Sequence, residues 1–488
     1  MNRSIKGVIA LLILTSSPAA LSIQAQQPAP PKPHRVIVLT DIEADPDDSQ
    51  SLIRLLLYAN QINIRGIVAT TSVHQPEKVV PETLNRIIDA YGQVQPNLLL
   101  HEGGYPTAET LHARVTEGLP VSGMLGVGAG KDSEGSEWII RELEQDDDRP
   151  LWISVWGGPN TLAQALWKIR ETRNAAEAGR LIRKLRVYTI SDQDDSGHWM
   201  RDTFPELFFI VSPGSYGNST WSAITGREPG ANNDVVSNEW LAEHLQQGHG
   251  PLGAEFPDVA YGLEGDTPAF LSLIPNGLND PERPNIGGWG GRYELYQPEP
   301  PGAPANPRMA ARFFFAPETR PIWTNAVDTF RPRIPSRWGR AIRADSVEYS
   351  NNKVSLWRWR GDFQHDFAAR MDWTVMAYED ANHPPVPALG HPDTLTVRSG
   401  EIFGLNAAGT TDPDGDALSY WWFQYPEAGT YREAISFAPL SENLYFVHTI
   451  RAPEVQEPET AHFILRVTDK GTPALSRYRR VVVNIVPR

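Results

Sequence analysis

The sequence predicts an α/β domain built on a mostly parallel sheet, followed by an all-β sandwich. Two observations predict the first part. Short buried-strand patterns alternate with helical ones from residue 35 to 300, and a dense acidic turn joins the first strand to the first helix. A third predicts the second part: period-two alternation with regular turn signals takes over after residue 381.

The organising stretch is His34–Asp48, HRVIVLTDIEADPDD. Val36 to Leu39 read as a short buried strand, and the acids Asp41, Glu43, Asp45, Asp47 and Asp48 follow at once. Beyond them SQSLIRLLLYA places Leu52, Leu55, Leu56 and Ala59 at helical spacing. Asp45-Pro46 reads as an N-cap with proline at the first helical position. Capping and the helix dipole account for two or three of these acids. The whole group repels itself unless a cation or protons neutralise it, and an all-oxygen set suits Ca²⁺ or Mg²⁺ better than zinc. A strand–turn–helix of this kind also puts its loop where open α/β sheets bind ligands.

The remaining elements follow in order. INIRGIVATT (62–71) reads as a second strand, Glu77–Tyr91 as a helix and NLLLHEG (97–103) as a third strand. LWISVWGG (151–158), LRVYTIS (185–191) and LFFIVSPGS (207–215) are further strands, with PNTLAQALWKIRE helical between the first two. Such alternation argues for a Rossmann-like sheet covered on both faces. GVGAGKDSEGS (126–136) fails as a phosphate loop, because Asp132 stands where Ser or Thr is needed after Lys131. It reads as a loop capping the helix SEWIIREL.

Turns after these strands offer polar groups: Gly157-Gly158-Pro159-Asn160, Ser191-Asp192-Gln193-Asp194-Asp195, and Glu264-Gly265-Asp266 before the apolar TPAFLSLI. Each alone reads as a surface turn. Together they could converge at one sheet edge, with Asp266 meeting the first acidic turn. From Gln297 the chain becomes Pro-rich, and 301–380 reads as a loop-rich extension on a domain spanning 35–300. Trp221, Trp289 and the Trp- and Arg-rich stretch 358–373 read equally as local packing or as a sugar-stacking wall.

Residues 381–488 read as a sandwich of immunoglobulin type, about 100 residues being the usual size. Asp412-Pro413-Asp414-Gly415-Asp416 reads as a Ca²⁺-binding turn or as a plain Asx-rich one. Trp421 and Trp422 are adjacent, so at most one can be a surface platform for sugar.

Composition narrows the classes. The 488 residues carry a net charge of −15 and no cysteine, which argues against nucleic acid as a partner and excludes disulfides and thiolate chemistry. Arg3 and Lys6, the apolar GVIALLILT and the small residues before Ala25 form a secretory signal pattern, 1–25, too short for a membrane span. Residues 26–34 read as a stiff linker, and the expected location is periplasmic or extracellular.

Asp41-Ile-Glu43-Ala-Asp45-Pro-Asp47-Asp48 between strand and helix resembles the signature of the nucleoside hydrolases, with Glu43 where that family has its second aspartate. GGPNTLAQAL (157–166) is similar to that family's GPLTN-type segment, and Asp266 to its late aspartate. The chain as a whole resembles a bacterial secreted family named as cellulose-binding proteins, which joins a nucleoside-hydrolase-like domain to an immunoglobulin-like one. GKDSEGS, SDQDD, EGDTP, GLNDPE, GWGGRYE, DFAARMDW, NHPP and DPDGD carry that resemblance.

The resemblance implies a Ca²⁺ site of Asp48 and Asp266 with help from Asp41, Glu43 and the Asn160 carbonyl. It implies that Glu43 accepts the proton of the attacking water and that Asp47 grips a sugar hydroxyl. Asn160, Asp192, Asn218, Trp221 and Trp289 complete the expected substrate contacts. Three departures stand out. The motif's glycine is missing, its ribose-binding segment is replaced by Asn218-Ser-Thr-Trp221, and Thr71, Ser72 and His74 stand where an asparagine is expected.

Three functions follow as expectations. The first is a secreted Ca²⁺-dependent hydrolase of N-glycosyl or pentofuranosyl bonds. The second is a catalytically altered polysaccharide (cellulose)-binding protein. The third is a metal-free glycosidase using Glu43 with Asp192 or Asp194. The expected partner is a carbohydrate, a nucleoside-like small molecule or a polysaccharide.

Overall fold

The structure, a computed structural model, describes residues 32–213, 216, 220–226, 233–300, 316–335, 342–344, 347–440 and 446–488. The signal pattern, most of the linker, and Asn218 lie outside the described residues.

The α/β part is an eight-stranded sheet of order β3-β2-β1-β4-β5-β6-β8-β7. Its strands are β1 (His34–Thr40), β2 (Ile62–Ala69), β3 (Val115–Glu117), β4 (Leu151–Val155), β5 (Leu185–Thr189), β6 (Phe208–Val211), β7 (Tyr293–Tyr296) and β8 (Ile322–Asn325). All neighbours run parallel except β7 against β8. Val36–Leu39 are fully buried in the middle of the sheet, as an apolar run without alternation requires when helices cover both faces. The covering helices include α1 (Asp47–Leu57), α2 (Pro81–His101), α3 (Glu134–Leu143), α4 (Asn160–Thr172), α5 (Ala175–Lys184) and α6 (Ser196–Thr203).

Strand order reverses between β1 and β4, which pair in register from Arg35–Leu151 to Leu39–Val155. The chain leaves β1 toward β2 and leaves β4 toward β5, so the loops after β1 and β4 open a crevice at the carboxyl ends of the two strands. That crevice holds the acidic turn.

Two expectations are corrected. Residues 97–103 are not a strand: NLLLH closes α2, whose buried face runs Leu84, Ile87, Ile88, Tyr91, Val94, Leu98. Leu99 and Leu100 are exposed, so the apolar run comes from two helix faces meeting in sequence. The segment after 300 is also more than a loop-rich extension. It supplies β8, inserted between β6 and β7, and a long helix α7 (Arg360–Asp372) that packs on α1.

The C-terminal part packs a four-stranded sheet, β9 (Thr394–Arg398), β15 (Ser476–Val486), β14 (Glu459–Thr468) and β11 (Ser419–Gln424), on a three-stranded one. The latter is β10 (Ile402–Asn406), β13 (Val447–Arg451) and β12 (Phe437–Pro439). Trp422 fills the core between the sheets, and Trp421 stacks on Phe423 on the outer face. That outer face packs on the α/β core. Asp362 and Asp366 of α7 bind the sandwich through Arg466, Ser476, Tyr478 and Arg477. From His34 to Arg488 the chain is one compact unit. No helix among the described residues is long and apolar enough to cross a membrane.

Candidate metal centre

The turn after β1 is fixed by its own backbone. The Ala44 amide donates to the Asp41 carbonyl at 2.9 Å, and Gln75 Nε2 donates to the carbonyls of Asp41 and Ile42 at 3.3 and 3.2 Å. The Asp47 amide donates to Asp45 Oδ1 at 3.0 Å, so the expected cap acts as an Asx turn while Pro46 takes the N-cap position. Helix α1 then carries Asp47 and Asp48 on its first turn, both buried.

Carboxylate oxygens of Asp45, Asp47 and Asp48 lie within 4.8 Å of one another. Asp41 and Asp266 join them electrostatically. Burial pushes Asp266 well above the usual carboxylate range, and the charges of Asp47, Asp48, Asp41 and Asp45 push it further. Burial and then Asp45 and Asp48 raise Asp47, and burial and then Asp41 raise Asp48. Burial raises Asp41 to about 6 despite a hydrogen bond from Ser72. Among the described residues, the donors that oppose this charge are backbone amides, Thr40 Oγ1 to Asp48, Trp221 Nε1 to Asp47 Oδ2 at 2.6 Å, and Ser72. Asp266 Oδ2 is buried with no hydrogen-bond partner among the described residues. A buried anionic oxygen without a donor, beside four more carboxylates, fits a hard divalent cation.

Glycines let the walls close on this group. A Cβ on Gly157 would lie 2.7 Å from Asp41 Oδ1, and one on Gly265 would collide with Trp221 Nε1 and lie 2.5 Å from Asp47 Oδ2. Tyr216 packs beside Trp221 with ring centroids 4.8 Å apart and planes tilted by 39°, and bonds His74 Nε2 at 2.8 Å. Burial and then Asp41, Asp47, Asp266 and Asp45 raise its phenol, which places the ring at the same group.

The structure therefore brings together Asp41, Asp47, Asp48, Asp266 and Trp221 of the residues singled out in sequence. Asn160 sits at the start of α4 beside them, but its side chain is spent on Thr70 Oγ1 at 3.0 Å and the Val121 carbonyl at 2.8 Å.

Three expected members stand elsewhere. Glu43 has φ 76°, a left-handed conformation that turns its side chain outward to Thr83 Oγ1 at 2.5 Å and Lys78 Nζ at 3.1 Å. Its exposed carboxylate is pulled down by Thr83 and Lys78, and none of the clustered aspartates feels it among its main perturbers. Asp192 is tied up by both arms of Arg201 at 2.9 Å, an arginine that also grips Glu318. Trp289 is fully buried against Phe363 and Tyr478, so packing and not sugar stacking explains it.

Tyr216 is the addition, while Asp45 and Asp194 take places other than those read for them in sequence. Asp45 was visible as an acid in the motif but read as a cap. Asp194 has a buried, unpartnered Oδ2 that a Cβ on Gly158 would approach to 2.5 Å, and burial raises it to about 6. Nothing in the local sequence points to Tyr216.

Residues 35–293 match the family model described as cellulose-binding Sde182, nucleoside hydrolase-like domain. The chain belongs to this family. Residues 402–485 match the model of the cellulose-binding protein Sde0182 C-terminal domain. A solved structure from Saccharophagus degradans, described as a nucleoside hydrolase-related hypothetical protein associated with carbohydrate metabolism, is 35% identical. The match covers 93% of this chain and 100% of that one, with a TM-score of 0.76. Weaker likenesses reach the type III effector XopQ complexed with adenosine diphosphate ribose (13% identity, 60% and 88% coverage, TM-score 0.26) and mouse protocadherin PcdhgC3 EC1-3 (14%, 33% and 42%, TM-score 0.15). No curated protein matches the chain significantly. The Sde182 family is thus carbohydrate-associated and nucleoside-hydrolase-like in fold, and the acidic group of this member lies within the matched region.

Proposed function

We propose that the chain is a Ca²⁺-dependent hydrolase of N-glycosyl or pentofuranosyl bonds, acting outside the cytoplasm. One observation carries the reading: Asp266, from a distant loop, is buried beside Asp41, Asp45, Asp47 and Asp48 with an oxygen that no donor among the described residues satisfies. Asp41, Asp48 and Asp266 are the residues that would hold the ion. When bound, Ca²⁺ supplies a Lewis acid for sugar hydroxyls and lowers the pKa of a coordinated water.

The chain's own groups do the rest. Asp47, oriented by the Trp221 indole, binds a sugar hydroxyl. Asp45 is half-buried where the other four aspartates are buried, so it replaces Glu43 as the proton acceptor for water. The aspartates together stabilise positive charge as the glycosidic bond breaks and the sugar becomes oxocarbenium-like. Trp221 and Tyr216 form an aromatic wall for a furanose or a planar leaving group.

The deciding experiment is hydrolysis of a panel of nucleosides and aryl pentofuranosides, with and without a chelator. Chelator-sensitive turnover on at least one substrate is expected, and none on any would remove the proposal. A second reading, sugar binding without hydrolysis, is favoured by Glu43: the motif position that should carry the base is turned outward. Co-sedimentation with insoluble cellulose tests it, and protein left wholly in the supernatant would count against it.

A further inference from the structure

The Asp412–Asp416 turn lies in the β-sandwich, remote in sequence from the acidic centre of the sheet. Carboxylate oxygens of Asp412, Asp414 and Asp416 lie within 4.8 Å of one another, a spread suited to ligands on one ion with metal–oxygen distances of about 2.3–2.6 Å. An Asx turn explains one half of Asp412: its Oδ1 accepts the amides of Asp414 and Asp416, both at 3.0 Å. It does not explain Oδ2, which is buried and has no partner.

Two neighbours repeat that pattern from other segments. Asp469, 0% exposed, accepts the amides of Gly471 and Leu475 through Oδ1, at 3.1 and 2.9 Å, while its Oδ2 is unpartnered. Asn382, 7% exposed, donates through Nδ2 to Asp469 Oδ1 at 3.2 Å and to the Pro473 carbonyl at 2.7 Å. Those bonds fix the orientation of the amide and leave its Oδ1 unpartnered. The next residue, His383, donates its amide to Asp414 Oδ2 at 2.7 Å, which seats Asn382 against the turn.

Asp412, Asp469 and Asn382 thus each keep one buried acceptor oxygen unmet, on three segments that Asn382 joins to Asp469 and its neighbour His383 joins to Asp414. Leaving such groups unmet is costly, and a cation satisfies several converging acceptors at once. We propose that Asp412, Asp469 and Asn382, completed by Asp414 and Asp416, form a structural Ca²⁺ site. It pins the segment that leads from α7 into the sandwich. Asn382 also anchors that segment by accepting Trp373 Nε1 at its carbonyl, at 3.0 Å, so the ion ties the sandwich to the α/β core.

The test is Ca²⁺ titration of the full chain by calorimetry in an Asp266→Asn background, which isolates this site from the first. One Ca²⁺ per chain is expected there. Asp412→Asn keeps an Oδ1 for both turn amides, so the turn folds, and it should weaken that binding at least tenfold. Asp469→Asn should do the same, and the Ca²⁺-induced rise in melting temperature should vanish with it. No Ca²⁺ bound in the Asp266→Asn chain, or unchanged binding in Asp412→Asn, would overturn the site.

Discussion

Arg54 of α1 holds Glu264 by two bonds, Nε to Oε1 at 2.5 Å and Nη2 to Oε2 at 2.6 Å, with neither side chain exposed. Gln50 Oε1 accepts the Glu264 amide at 2.9 Å, and Arg54 also reaches the Phe363 carbonyl at 2.8 Å and lies over the Phe367 ring. This pair fixes the turn that carries Asp266 to the helix that carries Asp47 and Asp48.

Glu264→Gln is therefore expected to cost about 3–5 kcal/mol, because it leaves a buried guanidinium uncompensated. Denaturant unfolding measures that loss, and Ca²⁺ affinity at the acidic centre should fall with it. A variant as stable as the parent would show that the pair does not hold the two segments together.

Asp266→Asn removes one charge from a self-repelling group. In a chelator the variant should unfold at a higher temperature than the parent. In Ca²⁺ the order should reverse, because binding to the folded state alone stabilises it by mass action. Thermal scans in both buffers decide it, and an unchanged order speaks against an ion at Asp266.

Glu43 and Asp45 should separate cleanly. On whichever panel substrate is turned over, Glu43→Gln is expected to keep kcat within about twofold, while Asp45→Asn loses roughly a hundredfold or more, the range for removing a general base. The reverse result would mean that Glu43 swings inward to act.

His462 makes the joint between sandwich and sheet sensitive to acid. Its Nδ1 accepts Arg480 Nη1 at 3.1 Å, and Arg480 Nη2 donates to the carbonyls of Leu278 and Gly287 at 3.0 and 2.8 Å. Burial, then Arg480 and Arg283, push the imidazole down to about 3. Because the folded value lies below the ordinary 6.5, its contribution is whole above that pH and is lost as pH falls toward about 3. By pH 4.5 the loss should reach about 2–3 kcal/mol. Urea unfolding at pH 7.5 and 4.5 reads it, and His462→Gln, which still offers an acceptor, should flatten the difference.

Local pattern was enough for much of the fold. The unbroken apolar run Val36–Leu39 announced a strand covered on both faces, and the acids behind it marked the carboxyl edge where a ligand site belongs. It misled at 97–103, where two faces of one helix placed apolar residues side by side. It was silent on β8, whose place between β6 and β7 depends on a partner strand close to it in space and not on its own four residues.

The sequence by itself determined the class of both domains, the acidic turn after β1 and the aspartates able to bind a hard cation, because strand and helix periods and charge density are local properties. Only the tertiary structure decided which acids meet. A left-handed residue at position 43 sends Glu43 to Lys78 and leaves Asp45 in its place, while Arg54 brings Asp266 across from a distant loop. The backbone dihedral of one residue and a buried ion pair formed 210 residues apart set those directions, and neither is written in the spacing of the motif.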